Sequence, residues 1–97
     1  MRIAICDDDK TDLHALQKAV SIFDQCGTLD ICAFSSAAEL YKSEMAKNFD
    51  IAILDIEMPP PNGYDIAKQL VEIGSAPIII FLTNSMAYTL RGYGIAF

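Results

Sequence analysis

The sequence predicts an α/β domain, a parallel β-sheet with helices packed on both of its faces. Three observations carry this. Residues 51–54 and 78–82 are apolar at every position, so neither segment has a face for water. Strands covered on both sides are characteristic of a parallel sheet. Between such runs lie stretches whose apolar residues recur at helical spacing. The two kinds of segment alternate in the order β-α-β-α-β-α-β-α, and the crossovers are expected to be right-handed.

Each element has its own signal. Residues 2–6, apolar after Arg2, meet acids at once, which reads as a strand ending in a loop. Leu13, Leu16, Val20 and Phe23 then mark one face of a helix. Asp8 or Asp9 is placed to cap it, and Gly27 to end it. Residues 29–34 form the second strand. Ser36 and Glu39 have capping-box spacing and open a second helix through Leu40 and Tyr41. Residues 51–54 run straight into Asp55, and the turn Met58-Pro59-Pro60-Pro61-Asn62-Gly63 follows. The three prolines stiffen that loop. Ile66, Leu70 and Ile73 mark the third helix, with Gly74 as its stop. Pro77 opens the fourth strand, 78–82. Thr83, Asn84 and Ser85 are placed to cap a last helix to about residue 93.

Length and composition bound the function. The chain has 97 residues, 53% of them hydrophobic, which is one small domain with a packed core. A net charge of -6 disfavours direct contact with nucleic acid or an anionic membrane. No apolar run approaches a membrane span. Met1 leads directly into the first strand, so no signal peptide is expected. Cys6, Cys26 and Cys32 are odd in number and lack metal-site spacing. These features predict a soluble cytoplasmic domain with reduced, mostly buried thiols.

The chemistry concentrates at the strand ends. In an open parallel sheet, ligands bind beyond the carboxyl ends of the strands, where strand order reverses. Asp7 and Asp8 follow the first strand, Asp55 the third and Thr83 the fourth. If the first and third strands are neighbours, three carboxylates converge, and such like charges need compensation. A divalent cation on oxygen ligands supplies it, and few protein ligands suit Mg²⁺. A carboxylate beside the metal is a nucleophile for phosphorus. Asp55 is the candidate nucleophile. Asp8 and the Glu57 backbone carbonyl are candidate ligands, Asp7 acts through water, and Thr83 supplies a hydroxyl.

These same residues resemble the receiver domain of two-component response regulators. Ile3-Ala4-Ile5-Cys6-Asp7-Asp8-Asp9 is similar to that family's first strand and acidic pair. Ile53-Leu54-Asp55-Ile56-Glu57-Met58-Pro59, with Asn62-Gly63, is similar to its phosphoacceptor segment. Ile79-Ile80-Phe81-Leu82-Thr83 is similar to its fourth strand and switch hydroxyl. The fourth strand and the residues to Tyr93 look most like receivers joined to LytTR-type DNA-binding domains.

The resemblance implies a flavodoxin-like (CheY-like) doubly wound fold with strand order 2-1-3-4-5. It implies Mg²⁺ held by Asp8, Asp55 and the Glu57 carbonyl, and a phosphoryl group accepted from a histidine kinase on Asp55. It implies Thr83 as the switch residue, with Asn84, Met58 and Pro59 nearby. Such a domain is a phosphoacceptor rather than an enzyme acting on other substrates. Its output domain, DNA-binding in this class, lies outside these residues.

The chain departs from the family at its end. It stops at Phe97, before the fifth strand, its Lys-Pro and the fifth helix. No lysine here takes the family's catalytic place, and Lys10 belongs to the first loop. A receiver of residues 1–97 is therefore expected to be C-terminally incomplete, with sheet order 2-1-3-4. It is expected to self-associate through the apolar edge of its fourth strand. It is expected to bind Mg²⁺ but to be phosphorylated poorly. The second reading is a receiver-fold interaction module without efficient phosphorylation. A haloacid dehalogenase site requires a second Asp where Glu57 stands. A dinucleotide site requires glycines where Asp7 to Asp9 stand. His14 reads as a solvent-facing helix residue.

Overall fold

The computed structural model describes residues 1–24 and 26–82; for residues 44–47 it describes the backbone alone. Seven elements follow one another: β1 (Arg2–Cys6), α1 (Lys10–Phe23), β2 (Asp30–Phe34), α2 (Ala37–Lys47), β3 (Ile51–Asp55), α3 (Gly63–Glu72) and β4 (Ile78–Leu82). The four strands form one sheet in the order β2-β1-β3-β4, and every pairing is parallel. This is the predicted flavodoxin-like arrangement. The fourth predicted helix lies outside the described residues, as do Thr83, Asn84 and Ser85.

The sheet has an apolar cluster on each face because its central strands have no polar face. Ala4, Cys6, Ala52 and Leu54 point to one side, where Leu40 of α2 and Ile66 and Leu70 of α3 cover them. Ile3, Ile5 and Ile53 point to the other, against Leu13, Leu16 and Val20 of α1. Alternation along each strand thus feeds both layers. The edge strand β2 is half-buried, while β1 and β3 in the centre are almost wholly buried.

Caps decide where the helices begin. Asp9, not Asp8, caps α1: its carboxylate accepts from Thr11 N at 2.8 Å and Asp12 N at 3.1 Å. Ser36 Oγ accepts from Glu39 N at 3.3 Å, which sets the start of α2. Asn62 caps α3 reciprocally. Its side chain accepts from Tyr64 N and Asp65 N, and Asp65 accepts from Asn62 N at 2.9 Å.

Three expectations are corrected. Gly27 does not end α1; the helix stops at Phe23. The Asp24 carboxylate takes the N–H groups of Thr28 at 2.9 Å and Leu29 at 3.0 Å, and Gly27 serves the turn between them with φ +66°. Phe23 is not on the core face but 83% exposed. A 14-residue helix spans about 21 Å and a five-residue strand about 17 Å, so the helix outruns the sheet after Val20. Of the three free cysteines only Cys6 is buried; Cys26 is exposed in the turn after α1. His14 is exposed, as expected.

Candidate functional site

The order β2-β1-β3 makes β1 and β3 neighbours, with Cys6 beside Leu54. Their carboxyl ends therefore open onto one spot. Asp7 is the first residue past β1, and its N–H donates to Phe34 O at 3.1 Å, extending the pairing with β2. This tie turns the Asp7 side chain inward, and it is 6% exposed. Asp8 is exposed. Asp55 is the last residue of β3 and 5% exposed. One carboxylate oxygen from each of Asp7, Asp8 and Asp55 lies within 4.8 Å of the others. The three predicted acids are thus brought together.

Two short loops hold them. Asp7 Oδ1 accepts from Asp9 N at 3.0 Å, so the first acid braces the residue that caps α1. Asp55 Oδ1 accepts from Glu57 N at 2.9 Å, which folds the chain back over the end of β3. Met58 next in line is buried in the cluster under α2 and α3 and anchors that loop. Pro59 is exposed. Ile56 N donates to Leu82 O at 3.0 Å, so β3 and β4 stay paired one residue past Asp55. Lys10, expected in the first loop, is instead the first residue of α1, because Asp9 caps the helix just before it.

The electrostatics follow from burial. Burial is the main cause that pushes the Asp7 carboxyl up to about 6; the Asp9 N–H opposes it, and the Asp55 charge adds to it. Burial likewise pushes the Cys6 thiol up to about 12, helped by the charges of Asp7 and Asp55. Cys6 is therefore a neutral core residue at physiological pH and no nucleophile.

The donor set is all oxygen. At Mg–O distances of about 2.0–2.1 Å, two oxygens across one ion are about 4.2 Å apart. A cluster within 4.8 Å fits such an ion with a small contraction, or with one acid reached through water. Thiolate and imidazole ligands, which suit zinc, are absent from this cluster.

The residue that sequence reasoning missed is Gly63. Its backbone lies against Asp55, so a Cβ there would sit 2.8 Å from Asp55 O. The Asn62-Gly63 pair signals a turn in the sequence, but nothing in it signals that contact.

The family model of the response regulator receiver domain matches residues 3–95. The chain belongs to that family. The receiver is 28% identical over 93 residues to the sensory transduction protein LytT of Enterococcus faecalis, covering 96% of this chain and 38% of the relative. It is 35% identical over 82 residues to the response regulator protein TodT of Pseudomonas putida, covering 84% and 34%. It thus spans less than two fifths of the curated relatives it matches. Several of these are of the LytT and LytR type, as the resemblance of the fourth strand implied. Among solved structures, the response regulator TrrA of Thermotoga maritima, in complex with Mg(2+)-BeF, superposes with a TM-score of 0.74 at 26% identity, over 94% of this chain and 76% of that one. The chemotaxis protein CheY4 of Vibrio cholerae superposes with a TM-score of 0.73 at 17% identity, over 94% and 76%, which shows the shared fold. Among the described residues, no helix is long and apolar enough to cross a membrane.

Proposed function

We propose that this receiver accepts a phosphoryl group from a histidine kinase on Asp55, with Mg²⁺ beside it. The observation that carries this is the convergence of Asp7, Asp8 and Asp55 within 4.8 Å at the carboxyl ends of two adjacent central strands. The TrrA match supports both ligands of the reading. That protein is solved in complex with Mg(2+)-BeF and, separately, with the histidine kinase ThkA.

The residues divide the work. The Glu57 N–H holds one oxygen of Asp55 and so orients the other for in-line attack. As the Asp55 oxygen bonds to phosphorus, the P–N bond to the kinase imidazole breaks, and its electron pair stays with the imidazole. Asp8, Asp55 and the Glu57 carbonyl are the groups that would hold Mg²⁺, and Asp7 would act through water. When bound, the ion offsets the clustered carboxylates and the charge on the transferring oxygens. Thr83 is the switch hydroxyl with Asn84 beside it; Leu82, the residue before them, is paired with Asp55. Phosphorylation then shifts the domain between two conformations that an output domain reads. A DNA-binding output outside these residues and a cytoplasmic seat complete the reading; the relatives include the transcriptional regulatory protein NatR.

Acetyl phosphate with Mg²⁺, followed by mass spectrometry of the intact chain and its peptides, tests the site. The expected result is one acid-stable, base-labile phosphoryl adduct on Asp55, formed slowly and at low occupancy because no lysine here takes the family's catalytic place, and absent when the metal is chelated. No adduct, or an adduct on another residue, rejects the reading.

Self-association through β4 belongs to the same proposal. Among the described residues β4 pairs on one side only, with β3. Its sequence is Ile-Ile-Ile-Phe-Leu, and Ile78 is 55% exposed. An apolar edge without charge or proline invites pairing. Light scattering at micromolar concentration is expected to show a dimer or larger species, and a monodisperse monomer rejects this part.

A further inference from the structure

We infer that Gly63 is a positioning residue for Asp55, required because its missing side chain lets the first turn of α3 rest directly on the Asp55 peptide. The inference rests on the phosphoacceptor reading and adds to it what holds the nucleophile still.

The three glycines among the described residues differ in what they do. Gly27 and Gly74 take positive φ, at +66° and +84°, and a Cβ on either would meet nothing within 4 Å. Backbone conformation explains them. Gly63 is the reverse. Its φ is not in the left-handed region, and it begins a helix, where glycine is a poor choice beside alanine. Yet it is buried, and an added Cβ would lie 2.8 Å from Asp55 O, 3.1 Å from the Asp55 carbonyl carbon and 3.1 Å from Ile56 Cγ2. Two of these atoms are backbone, so no side-chain rotation relieves the clash.

Neither partner has room to yield. On one side, the reciprocal Asn62–Asp65 cap fixes the start of α3, and Ile66 and Leu70 anchor the helix in the core. On the other, β3 is held between β1 and β4, with Ile56 N bonded to Leu82 O at 3.0 Å. The peptide pressed by Gly63 is the one from which the Asp55 carboxylate projects. Two residues after Asp55 comes Glu57, whose N–H holds Asp55 Oδ1. A methyl group at 63 therefore displaces the Asp55–Glu57 segment, and with it the carboxylate and the Glu57 carbonyl together.

An NMR titration of the ¹⁵N-labelled chain with Mg²⁺ tests this, read with amide exchange at Glu57 and a urea melt. Gly63→Ala is expected to raise the Mg²⁺ Kd by about tenfold or more, as for misplacement near 1 Å, and to speed Glu57 exchange. Gly74→Ala, which strains a left-handed residue elsewhere, is expected to lower the urea midpoint and leave both readouts of the folded chain unchanged. If Gly63→Ala does not fold, Asn62→Ala decides. It loosens the cap without changing charge, and is expected to raise the Kd by about threefold and to speed Glu57 exchange. Wild-type Kd and exchange in folded Gly63→Ala, or in Asn62→Ala where the first does not fold, overturn the inference. If the parent chain itself takes no phosphoryl group on Asp55, the phosphoacceptor reading fails, but the exchange measurement still decides the contact.

Discussion

Asp55→Asn is expected to abolish phosphoryl incorporation and, in the same molecule, to raise the stability of the metal-free fold. The first effect follows from the loss of the carboxylate proposed as the nucleophile. The second follows from the cluster. Asp7 and Asp55 are both buried, and their carboxylates share one small site with Asp8. At pH 7.5 the Asp7 group, raised to about 6, is ionised and repels its neighbours. An asparagine keeps the shape and can still accept from Glu57 N through its amide oxygen. Removing one charge should stabilise the fold by about 1 kcal/mol, roughly 4–8 °C for a chain of this size. The gain should shrink at pH 5, where Asp7 already carries a proton. Thermal melts of both chains in chelator at the two pH values check this. A destabilised Asp55→Asn at pH 7.5 would mean that the cluster is not under electrostatic strain.

The sheet was legible because its central strands are apolar on both faces, a pattern that few other environments explain. The convergence of Asp7, Asp8 and Asp55 was legible too, since it needs only strand adjacency and strand ends. What was not legible lies one level down. Asp8 and Asp9 are equivalent as caps in a run of three acids. Asp9 takes the role: its carboxylate accepts from Thr11 N and Asp12 N, while its own N–H is held by the buried Asp7 carboxylate. Asp24 follows the end of α1 and captures two amides four and five residues further on, a role that Gly27 masks in the sequence. The reciprocal Asn62–Asp65 cap replaces the Ser/Thr and Glu pair that usually signals a capping box. Burial of Asp7 beside an exposed Asp8, and the contact between Gly63 and the Asp55 peptide, depend on how segments meet in space.

Magnesium affinity is expected to fall steeply as pH drops through 6, and the fold's own pH dependence should run the opposite way without metal. Burial and the Asp55 charge raise the Asp7 carboxyl from 3.8 to about 6. A raised carboxyl means that the folded state holds its proton more tightly than the unfolded chain does. Its contribution to stability is thus fully present below pH 3.8 and is lost as pH rises through 6. The metal-free fold should therefore lose stability from this group between those two values. Bound Mg²⁺ reverses the sign, because the ion competes with that proton for the site. Above pH 7 the Kd should be flat; below 6 it should rise about tenfold per unit, the slope of one displaced proton. Titrations from pH 5 to 8 measure the slope, and melts with and without Mg²⁺ measure the linked stability. Asp7→Asn should remove the slope while weakening binding at pH 8, since the site then lacks one charge at every pH. A Kd unchanged between pH 5 and 7 would show that Asp7 does not titrate against the metal. The acid would then be a structural brace for Asp9 rather than part of the ion's environment.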